Sequence, residues 1–168
     1  DTLHADALAL VAEAVATSSS TDYVYSDEDK INLDGARYGE FRKPIWSPER
    51  LLAQNYTSHL SVLRRSVVND VGRFRPGFDG SQDYDLVLRV IERARHIVHG
   101  PHVLYHWRAL PSSTASDASA KPYAFVAAVK AVTEHLQRHR IPAEVTVAGP
   151  SLARIRRHPT RQPLISVI

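Results

Sequence analysis

Stretches of helical periodicity alternate along this chain with short runs of β-formers, and that alternation fixes the fold class first. In residues 2–17 the apolar side chains Leu3, Ala7, Leu8, Leu10, Val11, Ala14 and Val15 recur at helical spacing. Tyr23, Val24 and Tyr25 read as a short strand running into the acidic stretch Ser26-Asp27-Glu28-Asp29-Lys30. Residues 31–44 mix glycine, charge and asparagine and read as an irregular excursion. Ser47-Pro48-Glu49 is a helix start: a hydroxyl cap, a proline in the first turn, and an acid at the positive end of the dipole. A strand is expected over 58–63, a short helix over 64–71 stopped by Gly72, and a helix over 82–95 capped by Ser81. Leu86, Leu88, Val90 and Ile91 form the apolar stripe of that last helix. Residues 103–107 read as a strand and 110–119 as a Ser-rich loop. A helix over 122–140 turns Phe125, Val126, Val129, Val132 and Leu136 inward, and 145–147 forms a small strand. The result is an α/β fold with a mixed sheet flanked by helices. It lacks the Gly-rich strand-to-helix turn that usually opens a nucleotide-binding half.

The 168 residues suffice for one ordinary domain. Without cysteine there are no disulfides and no thiolate metal sites, and a cytosolic setting is permitted. No apolar run approaches the roughly 20 residues that cross a bilayer. A net charge of +3 gives a mild positive field that suits an anionic nucleotide or an anionic membrane surface. The basic stretch Arg154, Arg156, Arg157, His158 and Arg161 has no interleaved aromatics. It reads as a solvated linker over 150–162, and no nucleic-acid partner is expected. Residues 164–168 are an apolar β-run. The chain opens on Asp1 and contains no methionine, so it reads as a piece of a longer protein.

Several side chains could carry chemistry. Asp83 and Asp85 fall in the first turn of a helix, where they either stabilise that terminus or, ionised by its dipole, accept a proton. Asp27, Glu28 and Asp29 crowd a strand end, which is either a site or a solvated turn. Trp46 and Trp107 either stack on sugar faces or pack in the core. Arg108 either meets a phosphate or is solvated.

Four stretches together resemble family 2 glycosyltransferases of the GT-A fold, of the bacterial surface-polysaccharide type. Asp1-Thr2-Leu3 with Ala7-Leu8 is similar to the end of that family's aspartate-rich metal motif. Tyr25-Ser26-Asp27-Glu28-Asp29-Lys30 is typical of the polysaccharide subgroup. Gly80-Ser81-Gln82-Asp83-Tyr84-Asp85-Leu86 with Arg89 resembles the Glu-Asp motif, with Gln in first position. Val103-Leu104-Tyr105-His106-Trp107-Arg108 resembles the closing strand of the catalytic domain.

The resemblance covers residues 1–115. It implies a partial GT-A fold lacking most of its N-terminal nucleotide-binding half, with 116–149 a helix and strand packed on it. Residues 150–168 would then lead into a second such domain. It also implies an inverting transfer from a nucleotide-diphospho-sugar donor to a saccharide acceptor, with Asp83 as general base. Gln82, Trp107, Arg108 and Trp46 would bind the acceptor, and Asp27 and Asp29 would lie on the donor side. Asp1 and His106 would be ligands of a divalent Mg or Mn cation, since both ions favour carboxylate oxygen and Mn also accepts imidazole. The implied setting is cytoplasmic, in peripheral contact with the inner face of the membrane. The isolated fragment is expected to be inactive, and an open sheet edge offers self-association. A non-catalytic binding or oligomerisation module of the same fold is the other reading.

Overall fold

The computed structural model describes residues 1–110, 122–149 and 151–159, together with Arg161 and Leu164. The Ser-rich loop expected over 110–119 lies outside them apart from Leu110, and so does the apolar run 164–168 apart from Leu164. The elements run β1 (Thr2–Leu3), α1 (Ala7–Ala16), β2 (Thr21–Ile31), β3 (Arg37–Phe41), α2 (Pro48–Ala53), β4 (Ser61–Leu63) and α3 (Arg65–Asp70). They continue α4 (Gln82–Ile91), β5 (His96–Arg108), α5 (Pro122–Arg138), β6 (Ala143–Gly149) and β7 (Leu152–Arg157).

The main sheet is mixed. β2 runs parallel to β5, while β1 lies antiparallel on the outer side of β5. The other side of β2 is shared by two short antiparallel strands, β4 beside Tyr23–Tyr25 and β3 beside Glu28–Ile31. Alternation along β2 sends Tyr23 and Tyr25 to one face and Val24 to the other. The tyrosines meet α2, α4 and α5 through Leu51, Leu88, Val132 and Leu136. On the opposite face Ala7 and Val11 of α1 pack on Leu104, with Val62 beside them. Helices thus flank the sheet on both sides, as the alternation of elements predicts.

The local signals that held have plain causes. The Ser47 hydroxyl accepts the Arg50 N–H with Pro48 in the first turn, so α2 begins where expected. Gly72 ends α3 with φ of 84°. Ser81 precedes α4, but its hydroxyl caps nothing there; it donates to the Ala124 carbonyl at 2.7 Å and ties α4 to α5.

Five expectations need correction. The acidic run is not a turn: β2 continues through it with register shifts against β5 and β3, and every residue of β2 is buried except half-buried Lys30. The excursion over 31–44 contains β3. β5 begins seven residues earlier than the aromatic run suggested, at His96. The basic stretch is not a linker, because Ala153 and Ile155 alternate with Arg154 and Arg156 in β7, which pairs with β6. On α5, Val126 is 68% exposed, and Ala127 and Ala131 take the inward positions instead.

Gly80 sits where α4 meets α5. Its φ is +79°, and a Cβ there would come within 2.7 Å of the Ala124 Cβ. Gly80→Ala therefore forces both a left-handed backbone on alanine and an overpacked helix contact. A loss of about 1–3 kcal/mol is expected from such overpacking, read as a lower urea midpoint at constant slope. An unchanged midpoint would mean that α5 shifts freely at this point.

Candidate functional site

The buried acids of β2 need partners, and each has one from far along the chain. Asp27 accepts the Lys43 backbone N–H at 2.9 Å and lies 2.7 Å from the His99 Nε2. Asp29 lies 2.5 Å from the His106 Nδ1. Glu28 accepts from the buried Lys43 ammonium and from the His59 backbone N–H, each at 3.2 Å, and its Oε2 is also 3.2 Å from the His59 ring. Burial pushes the Glu28 carboxyl up. The hydrogen bond from His59 and the Lys43 charge outweigh burial and hold it below the usual carboxylate range.

The same lysine ties down the loop 54–60. Its ammonium donates to the Thr57 carbonyl at 3.1 Å and also to the His59 carbonyl. At one end of the loop, the Asn55 amide donates to the Asp83 carboxylate at 3.0 Å. At the other, the His59 ring stacks on Tyr105 at 4.6 Å between centroids and lies 5.0 Å from Trp107. One loop therefore links the start of α4 to the end of β5.

Asp83 and Asp85 sit in the same first turn with opposite surroundings. Asp85 is buried and held by both Arg75 and Arg89, with contacts down to 2.6 and 2.7 Å. Asp83 is partly exposed, and its hydrogen-bond partner is the neutral Asn55 amide. Of the two, Asp83 keeps lone pairs free for an incoming group. Gln82 beside it is exposed.

The remaining predicted residues divide by position. In the β1–β5 ladder Thr2 faces His106, so the pleat puts Asp1 on the side of Tyr105 and Trp107 and sends His106 to the other. The Asp1 carboxylate accepts the Tyr105 hydroxyl at 2.6 Å and the Arg108 backbone N–H at 2.8 Å. Asp1 and His106 are therefore near one another but on opposite faces, and no third His or carboxylate draws them into one ligand group among the described residues. Trp107 is half-buried, with the Lys30 ammonium 5.8 Å above its ring. Trp46 is not part of this region. It packs near Tyr25 and lines a cavity with Ile97, at the far end of β5 from Trp107.

Three buried side-chain polar atoms have no hydrogen-bond partner among the described residues: Asn55 Oδ1, Thr57 Oγ1 and His106 Nε2. Two of them belong to the loop that holds Asp83. A buried polar atom left unpaired costs about 1–3 kcal/mol, and an ordered water supplies the missing partner as well as a ligand would. Sequence reasoning missed Asn55, His59, Lys43 and Tyr105. The signal available was thin: an Asn, a Thr and a His spaced two apart in a stretch expected to lead into a strand.

No protein-family model matches the chain. It is 45% identical over 152 residues to the uncharacterized protein y4gI of Sinorhizobium fredii (strain NBRC 101917 / NGR234), an alignment that covers 89% of this chain and 17% of that protein. It is 40% identical over 169 aligned positions to the O-antigen biosynthesis protein RfbC of Myxococcus xanthus, covering 100% of this chain and 13% of that protein. The chain thus spans less than a fifth of the length of the curated relatives it matches.

Proposed function

We propose that this chain is the acceptor side of an inverting, family 2-like glycosyltransferase of GT-A type that builds a bacterial surface polysaccharide. The observation that carries the reading is the contrast within one helical turn. Asp85 is consumed by two arginines, while Asp83 stays accessible beside a loop with unpaired polar atoms. The likeness to an O-antigen biosynthesis protein supplies the substrate class, a saccharide of the cell surface.

In this reading an acceptor hydroxyl donates to the Asp83 carboxylate, which the Asn55 amide holds in place. Its oxygen attacks the anomeric carbon of a nucleotide-diphospho-sugar as Asp83 takes its proton. The bond from that carbon to the diphosphate oxygen breaks, and the nucleoside diphosphate leaves. Trp107 and Tyr105 offer apolar rings for the sugar, and Arg108 supplies a cation at the end of the strand.

His106 suits a metal ligand: its Nε2 is buried and free, and its Nδ1 is held by the Asp29 carboxylate. A divalent cation held there would lie on the face of β5 opposite Tyr105 and Trp107, so it could serve as a Lewis acid toward the departing diphosphate only where the donor reaches that face. Asp1 does not converge with His106, so any further ligands would have to come from elsewhere. Among the described residues no helix is long and apolar enough to cross a membrane.

The other reading is a non-catalytic binding or oligomerisation module of the same fold. The free edge of β3 carries Arg37 and Glu40 and lies beside an irregular register, devices that discourage edge pairing. The deciding experiment uses the longer protein in which this chain occurs. Nucleotide-diphospho-sugars are offered with surface-polysaccharide acceptors, and nucleoside diphosphate release is measured. Acceptor-dependent release is expected; none with any donor would overturn the assignment.

A further inference from the structure

A second group of chemistry-bearing side chains lies far from Asp83, where the C-terminal ends of α4 and α5 meet. Glu92 follows the last residue of α4. His135 lies in the final turn of α5, and His139 just beyond it, its backbone N–H still bonded to the His135 carbonyl at 3.1 Å. The spacing of four puts both imidazoles on one side of the helix, with ring centroids 4.6 Å apart.

Each of the three residues offers one ligand atom, and these atoms all lie within 4.8 Å of one another. The His135 Nδ1 is 2.8 Å from the Glu92 Oε1. Two atoms at that separation, each about 2.0–2.1 Å from an ion, subtend roughly a right angle, so an ion can take the place of the shared proton with little movement. The group opens on a cleft of about 500 Å³ that is also lined by His96 and Trp46, which gives it access to solvent.

Electrostatics point the same way. Both helices present their carbonyl ends, the negative poles of their dipoles, to the same spot. At present Arg138 answers that field with a forked contact to Glu92 at 2.7–3.0 Å. Two imidazoles and a carboxylate form a borderline-soft donor set, which suits late first-row metals and not Mg or Ca.

We propose that Glu92, His135 and His139 bind a late first-row divalent metal of the Zn²⁺ class, which staples the end of α5 to the end of α4. On binding, His135 releases its Nδ1 hydrogen bond to Glu92, and the imidazole proton moves to Nε2. The metal takes the freed Nδ1, one Glu92 oxygen and one His139 ring nitrogen, and water fills what is left. Arg138 keeps the other Glu92 oxygen. The proposal is independent of sugar transfer.

The test is calorimetric titration of the untagged chain with Zn²⁺. One ion per chain is expected. His139→Gln, at an exposed position where folding is unaffected, should weaken binding about tenfold or more. Arg138→Gln removes the competing cation and should tighten it. His106→Gln and His158→Gln should leave it unchanged. Failure to saturate, equal affinity in His139→Gln, or loss in His106→Gln in its place would each overturn the assignment. The last result would also move the metal to the transfer site, which keeps the two proposals separable.

Discussion

On the proposed function, replacing Asp83 by Asn in a full-length transferase containing this domain should lower sugar-transfer turnover about 10²- to 10⁴-fold, the usual contribution of a general base. The change removes one proton acceptor and little else. Asn is the same size, and its carbonyl can still accept from Asn55, so the loop 54–60 keeps its anchor. The proposed role puts Asp83 on the acceptor side, so donor affinity should stay near wild type. The loss should then fall on kcat and not on KM, as for an interaction made only in the transition state. Nucleoside diphosphate release under saturating donor measures it. A variant that turns over at the wild-type rate would remove Asp83 from the chemistry and reduce it to a helix-terminus acid.

Two residues along the same helix, the same substitution should act on the fold instead. Asp85→Asn is expected to cost about 3–5 kcal/mol, because it leaves buried charge uncompensated. Asp85 joins Arg75 and Arg89. Those arginines in turn reach Glu134 on α5 at 2.6 Å and the Arg73 carbonyl at 2.7 Å, and Arg89 also reaches the Val71 carbonyl at 2.5 Å. A domain of this size is stable by about 5–15 kcal/mol, so the loss is a large share of the whole. Denaturant unfolding should show a much lower midpoint at similar slope.

An acid arm separates charge from packing. Burial pushes the Asp85 carboxyl up, but the Arg75 and Arg89 hydrogen bonds outweigh it and hold its pKa below the ordinary value. A depressed folded-state pKa means that the stabilisation is complete above the unfolded value, about 3.9. It is lost as pH falls through the lower folded value. The wild type should therefore lose stability steeply in that window, and Asp85→Asn should show a flatter limb. Loss of less than about 1 kcal/mol with an unchanged acid limb would show the arginines to be satisfied elsewhere, at the level of an exposed pair.

How much of this was readable in advance depends on the range of the interactions. Caps and stops are local, so Ser47, Pro48 and Gly72 marked α2 and α3 correctly. The stripe of α4 is periodic, and Leu86, Leu88 and Val90 are indeed buried. The solvated-turn alternative for the acidic run 26–30 fails because its burial depends on His99, His106 and Lys43, none of them a sequence neighbour of the acids they satisfy. Charge density alone says solvent; only the sheet brings the compensating groups. The β7 misreading has a different cause. Arginine outnumbers the inward residues there, and Ala153 with Ile155 is a two-residue signal inside a basic background. For the site, Asp83, Trp107 and Asp1 were named from motifs, but their connection through Asn55 and His59 was invisible, because a loop's path cannot be read from composition. Trp46 was grouped with Trp107 by residue type alone, and the fold places them near opposite ends of one strand.

A single buried ammonium has a mechanical consequence. Since Lys43 grips β2 through Glu28 and the loop 54–60 through two carbonyls, that loop has no independent hinge at its centre. Its stiffness is borrowed from the sheet. The spacing between Asp83 on α4 and the rings on β5 should therefore be inherited from the whole domain, so that the geometry of this region and the integrity of the fold fail together.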